Sequence, residues 1–195
     1  MLNTNTTGDK RIKRTKNALT QALFALMATK AFKDITITDI VNEADYNRGT
    51  FYRHYKYKED LLDEILGEVI ADLAKSYKEP LRNNNKLDIR TLNASAVKIF
   101  DHVWEHKHVY QLVIKANALP GFQKRITDEL NTLLLQNIYH AKLDDTINLN
   151  LLSSYQSYAI LGLIIEWVND DFKYSPPYMA EQLVGILKIN PTLQD

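Results

Sequence analysis

Between positions 48 and 54 the chain reads Arg-Gly-Thr-Phe-Tyr-Arg-His, a dense set of hydrogen-bond donors with no acid among them. Guanidinium, hydroxyl, phenol and imidazole groups at this density can hold phosphate oxygens and reach base edges. At helical spacing Phe51 and Tyr55 stand four apart and can face a core. Gly49, Thr50 and Arg53 then fall on the opposite side, with Arg48 and Tyr52 flanking. The chemistry implied is contact with nucleic acid. Catalysis has little to stand on: GxSxG, P-loop and GxGxxG patterns are missing, and the chain has no cysteine nucleophile. The expectation is a protein that is not an enzyme and uses no cofactor.

A second group deserves the same question. His102 and His106 are four apart with His108 nearby, so two imidazoles can share a helix face. Metal sites use that spacing. No HExxH pattern accompanies it and no Cys is available, so the expectation is polar or core-edge histidines and no metal site.

The elements that must position the donor cluster can be read from residues 36–58. Thr36 can cap a helix, with Asp39 three residues on completing a capping-box-like pattern. Ile37, Ile40, Val41 and Ala44 form an apolar stripe at helical spacing. Asp45-Tyr46-Asn47 breaks that pattern, and Asn47 is a good N-cap for a second helix. Two short helices joined by a tight turn make a helix-turn-helix, with residues 48–55 as the recognition helix.

The run ITITDIVNEADYNRGTFYRHYKYKEDLL resembles the DNA-binding segment of the TetR family of bacterial transcriptional regulators. Thr36, Ile40, Ala44, Gly49, Thr50, Tyr52, Lys58, Glu59 and Leu61 stand in register with that family's pattern. Where the family usually has Gly-Val-Ser, this chain has Asp45, Tyr46 and Asn47. Aspartate tolerates the left-handed backbone of such a turn better than most non-glycine residues, so the turn is expected to survive. The resemblance implies that Thr36, Thr38, Tyr52, His54 and Lys58 mainly hold phosphates. It also implies that Arg48, Gly49, Thr50 and Arg53 approach the bases or flank them. The segment GLIIEWVNDDFKYSPPYMAEQLVGIL is similar to the C-terminal part of a subgroup common in low-GC Gram-positive bacteria, which includes dihydroxyacetone-kinase regulators.

The 195 residues carry 24 Lys/Arg against 24 Asp/Glu, a net charge of zero. The distribution is uneven: residues 1–60 hold eleven basic and seven acidic residues, and residues 61–195 hold thirteen and seventeen. A basic head on an acidic body suits a protein that presents one end to DNA. The first residues lack the apolar run of a signal peptide, and the expected compartment is the cytoplasm.

Composition gives a polar, disordered tail over residues 1–9. Lys10, Arg11, Lys13, Arg14 and Lys16 lead into a first helix at 15–30, whose apolar face is Leu19, Leu23, Leu26 and Met27. Residues 58–79 read as one long helix stopped by Pro80, followed by a polar loop at 81–88. Helices are expected at 90–106, 109–116, 122–140, 149–171 and 177–188, with no alternating strand pattern anywhere. No charge occurs from Thr146 to Ile165. Asn148, Asn150, Ser153, Ser154, Gln156 and Ser157 make that stretch too polar for a membrane span. It suits a helix covered both by its own core and by a partner, with Ala159 and Gly162 allowing close approach.

The reading is therefore an all-α chain: a tail at 1–9, a helix-turn-helix DNA-binding domain at 10–57, and a helical ligand and dimerisation domain at 58–195. The family resemblance implies a homodimeric repressor that binds a palindromic operator in double-stranded DNA and is released by a small-molecule effector, with no membrane partner. Most of the body's aromatic residues are expected to be core, and Trp104, Tyr110, Phe122, Tyr155 and Trp167 are the candidate walls of an effector pocket. Three further readings fit the same residues: an activator that responds to a protein partner, a helical ligand carrier without DNA binding, and an architectural DNA binder without a ligand.

Overall fold

Apolar residues at three- and four-residue spacing become helices in the computed structural model, which describes residues 5–79, 92–114, 121–138 and 146–189. In chain order these are α1 (Asn5–Met27), α2 (Ile37–Glu43), α3 (Arg48–Tyr52), α4 (Lys58–Lys78), α5 (Ile99–Glu105), α6 (Lys107–Ile114), α7 (Phe122–Ile138), α8 (Leu149–Asn169) and α9 (Pro176–Ile189). Two 3-10 turns, Phe32–Asp34 and Ala94–Ala96, accompany them. No strand occurs among the described residues, so the all-α expectation holds.

Several boundaries differ from the sequence reading, three of them with a clear physical reason or consequence. α1 begins at Asn5, so residues 5–9 continue a helix where composition suggested a tail. Once Leu19 and Leu23 are buried and the helix is nucleated, each added residue costs little. The helix expected at 90–106 is cut short. Asn93 accepts a bond from the backbone N–H of Ser95 at 3.1 Å, Val97 is extended, and α5 starts only at Ile99. Asn and Ser side chains offer the backbone a local alternative to helix, and here it wins. α3 ends at Tyr52 instead of Tyr55, with Arg53 as its C-cap. Pro80, the loop at 81–88, Pro120, and Tyr139 and His140 at the expected end of α7 lie outside the described residues.

The chain divides within α4 into two compact units, residues 1–68 and 69–195. In the first, α1 packs on α2 and α2 on α3. Leu19, Leu23, Ile40, Phe51 and Leu61 are completely buried, each contributing about 1.5–3 kcal/mol. The start of α4 is tied in by charge: the Lys16 ammonium donates to both oxygens of Glu64, at 2.8 and 2.9 Å, and the Tyr55 hydroxyl donates to the same carboxylate at 3.3 Å.

In the second unit α7 lies along α8, α6 touches both, and α5 packs on α6 and α9. Phe100, Tyr110, Phe122 and Trp167 are buried at its centre. α8 closes with the N–H of Phe172 on the carbonyl of Trp167 and the N–H of Asp171 on that of Val168, the paired bonds of a Schellman ending. Asp171 and Phe172 both adopt left-handed backbone, at φ 55° and 56°. For phenylalanine that conformation costs about 1–3 kcal/mol. Packing of its ring 5.0 Å from Trp167 and 5.7 Å from Trp104 offsets the strain. Among the described residues no helix is long and apolar enough to cross a membrane.

Candidate functional site

The α2–turn–α3 segment is built almost entirely by short-range bonds. Thr36 N-caps α2: its hydroxyl oxygen accepts from the Asp39 backbone N–H at 3.1 Å, while the Asp39 carboxylate accepts from the Thr36 N–H at 2.9 Å. This reciprocal pair is the capping box anticipated from the spacing. The bond from the Thr36 backbone N–H is the largest cause holding the Asp39 carboxyl below its usual range. At the other end of α2, the N–H of Tyr46 reaches the carbonyl of Val41 at 2.8 Å and that of Asp45 reaches Asn42 at 3.2 Å. Asp45 sits at φ 57°. The aspartate that replaces the family's glycine therefore takes up the left-handed turn.

Asn47 caps α3 through a 2.8 Å bond from the Thr50 N–H to its side-chain oxygen. The Thr50 hydroxyl donates to that same oxygen at 3.2 Å. A Cβ at Gly49 would stand 3.3 Å from the Asn47 oxygen, so a larger residue there would press on the cap. Phe51 is fully buried and meets the Tyr55 ring at 5.6 Å. That anchor fixes which side of α3 is left to solvent. Arg48, Gly49, Tyr52 and Arg53 are exposed, with Thr50 and His54 half-buried. The Arg48 guanidinium donates to the Tyr52 hydroxyl at 3.2 Å and lies 5.9 Å from its ring centre. The two side chains thus extend together, pre-ordered at an exposed surface. Thr36 and Thr38 are exposed at the start of α2.

Lys58 is engaged otherwise than the family pattern implies. Its ammonium donates to the carbonyls of Phe32 at 2.8 Å, Lys33 at 3.1 Å and Ile35 at 2.6 Å, and it lies 4.7 Å from the Phe32 ring centre. An ammonium has three donors, and all three are used to close the turn between α1 and α2. No pattern of residue types signals this clasp, because its partners are backbone atoms that any residue would supply.

The five candidate pocket walls do not behave alike. Tyr110, Phe122 and Trp167 are core, at 0–2% exposure, whereas Trp104 is 41% and Tyr155 63% exposed. Tyr110 meets Phe122 edge-on at 6.4 Å, and Trp167 meets Phe100 at 5.7 Å. The Trp167 indole N–H donates to the Tyr174 carbonyl at 2.9 Å. Of the five, only Trp104 lines the cleft of about 430 Å³ between the end of α4 and α5, whose walls also include Asp72, Lys98, Asp101, His102 and Glu105. That cleft is rimmed by charged side chains and shares only Trp104 with the expected walls.

At its floor the histidine pair acquires a partner that sequence spacing did not suggest. Asp72 of α4 stands 3.0 Å from His102 Nδ1 and 3.3 Å from His106 Nε2 through a single carboxylate oxygen. His102 Nε2 pairs with the buried Tyr110 hydroxyl at 3.1 Å. Burial pushes the His102 imidazole down to about 4. Bonds from His102, then His106, hold the Asp72 carboxyl below its usual range, so at neutral pH the acid is ionised and His102 neutral. Burial likewise raises the Tyr110 phenol above its ordinary range.

Residues 19–65 match the family described as "Bacterial regulatory proteins, tetR family", and residues 90–188 match a family described as "Transcriptional regulator C-terminal region" of the same group. The chain is 25% identical over 194 residues to the uncharacterized HTH-type transcriptional regulator YxbF of Bacillus subtilis, covering 93% of this chain and 46% of that protein. It is 25% identical over 113 residues to the HTH-type transcriptional repressor KstR2 of Mycolicibacterium smegmatis, covering 58% of this chain and 52% of the other. It thus spans about half the length of the curated relatives it matches. Among solved structures it is similar to the dihydroxyacetone kinase operon activator DhaS, with a TM-score of 0.60 and 21% identity over 90% of this chain and 94% of the other, a likeness of fold.

Proposed function

Because the chain belongs to the tetR family of bacterial regulatory proteins, we propose that it is a transcription regulator that binds operator DNA through α3. The observation that carries this reading is α3 itself: one face locked into the core by Phe51, the other presenting Arg48, Tyr52 and Arg53. Arg48, Gly49, Thr50 and Arg53 read or flank the bases, while Thr36, Thr38, Tyr52 and His54 hold phosphates. Lys58 acts beneath them as the clasp that sets the turn before α2.

The regulator works as a two-fold homodimer. α8 leaves Leu151, Tyr155 and Tyr158 exposed at 70, 63 and 63%, and α9 leaves Ile186 and Ile189 at 51 and 77%. Apolar side chains at such spacing on two consecutive helices favour a helical partner. Two copies would present their recognition helices to successive major grooves about 34–36 Å apart, giving a near-palindromic operator. The direction of control is repression, relieved when a small molecule binds the body.

Selection of bound duplexes from a random DNA pool tests the core of this reading. The expected result is enrichment of an inverted repeat. Recovery of sequences no different from the starting pool would overturn it.

A further inference from the structure

We propose that Asp72, His102 and His106 form a binding site for a divalent transition-metal cation of the kind that prefers imidazole, with Zn²⁺ the best fit. This revises the expectation, drawn from histidine spacing alone, that the pair holds no metal. What the pair lacked was a third ligand, and α4 supplies it. The three donor atoms, one from each residue, lie within 4.8 Å of one another. Two of the three separations, 3.0 and 3.3 Å, approach those between neighbouring ligands of a tetrahedral ion bound at about 2.0–2.2 Å. His106 is the more exposed imidazole, at 30% against 1% for His102, and its ring can turn to take up the remaining gap.

The ligand set is chemically apt. Two imidazoles and one carboxylate leave a position open for water, as catalytic and exchangeable zinc sites do. His102 is neutral and already oriented by its second nitrogen. With Nδ1 on the metal, the ring carries its proton on Nε2 and donates it to the Tyr110 hydroxyl at the 3.1 Å now seen. Such an outer partner fixes the tautomer of a metal-bound histidine. Access is provided by the cleft, whose walls carry four carboxylates (Asp72, Glu79, Asp101 and Glu105) against Lys75 and Lys98. Lys75 lies 3.9 Å from the other Asp72 oxygen and is 83% exposed, so it can swing away as a cation enters.

Without an ion, the same atoms form a hydrogen-bonded cluster in which both imidazoles donate to Asp72, and a direct binding measurement separates the two. The full-length protein, stripped with a chelator and dialysed, is titrated with Zn²⁺ by calorimetry and with Co²⁺ by visible absorption. The site predicts one ion per chain, with intense ligand-field bands for four-coordinate Co²⁺. His106→Ala and the near-isosteric Asp72→Asn should each weaken binding at least a hundredfold, with circular dichroism confirming the fold. His108→Ala, on an exposed side chain nearby, should bind as wild type does. Tyr110→Phe should weaken binding less, about tenfold. The proposal is overturned if wild type takes up no ion at micromolar concentration, or if uptake survives in both ligand variants. A dependence on His108 in place of His106 would equally overturn it. None of these readouts depends on DNA, so the outcome is independent of the regulatory reading.

Discussion

Replacing Lys58 with Met separates two roles that the sequence could not distinguish. The substitution keeps an unbranched aliphatic side chain and removes the ammonium, leaving the carbonyls of Phe32, Lys33 and Ile35 without their shared donor. Hydrogen bonds to a charged donor contribute about 1.5–3 kcal/mol each in favourable cases. Three bonds to one ammonium are not additive, and the bond to Lys33 is exposed, so water replaces part of what is lost. The expected loss is therefore about 2–3 kcal/mol, near the value for one or two such bonds. For a chain of this size each kcal/mol lowers Tm by roughly 2–4 °C. Urea unfolding followed by circular dichroism measures the loss. Operator binding measured against KCl concentration then tests the second role. A direct phosphate contact carries about 0.9 of the log–log salt slope, and a clasp carries none. At a temperature where the variant is folded, the slope should match wild type. A Lys58→Met protein of undiminished stability whose slope falls by about 0.9 would refute the clasp and restore the phosphate role.

Arg48→Ala and Arg53→Ala should each weaken operator binding by about 1–3 kcal/mol if the arginine pairs with a base edge, and should broaden the selected consensus; unchanged affinity and consensus in both would remove α3 as the reading element. A Cβ at Gly162 meets nothing within 4 Å in its own chain, so Gly162→Arg should fold normally yet sediment as a monomer and bind DNA poorly, whereas an intact dimer would place the interface elsewhere. Stability should also depend on pH through His102, measured in a chelating buffer. The folded state holds this imidazole at about 4 against an ordinary 6.5, so the unfolded chain binds the extra proton between those values. Its contribution is full above about pH 6.5 and is lost as pH falls toward 4, by at most roughly 3 kcal/mol. His102→Asn should be less stable at pH 7 and should flatten that part of the profile; an unaltered profile would show that His102 does not titrate there.

What the sequence determined is what forms between near neighbours. The Thr36–Asp39 capping box, the Asn47 cap and the Asp45 turn all close within a few residues. Each depends on side-chain types that can be read in order, and the burial of Phe51 follows from helical period. The uncharged face of α8 was visible in the same way, as a run of residue types. Tertiary packing decided the rest. The Lys58 clasp spans 23 to 26 residues, Asp72 and His102 stand 30 apart, and Lys16 and Glu64 48 apart. No periodicity links such positions, because their approach depends on how helices cross after their apolar faces are buried. Burial of the aromatic residues was undecided by sequence for the same reason. Aromatic character marks a side chain as able to be buried, yet Trp167 enters the core while Tyr155, on the same helix, remains 63% exposed. Which of the two a residue becomes is fixed by the face of α8 it occupies and by what packs against that face.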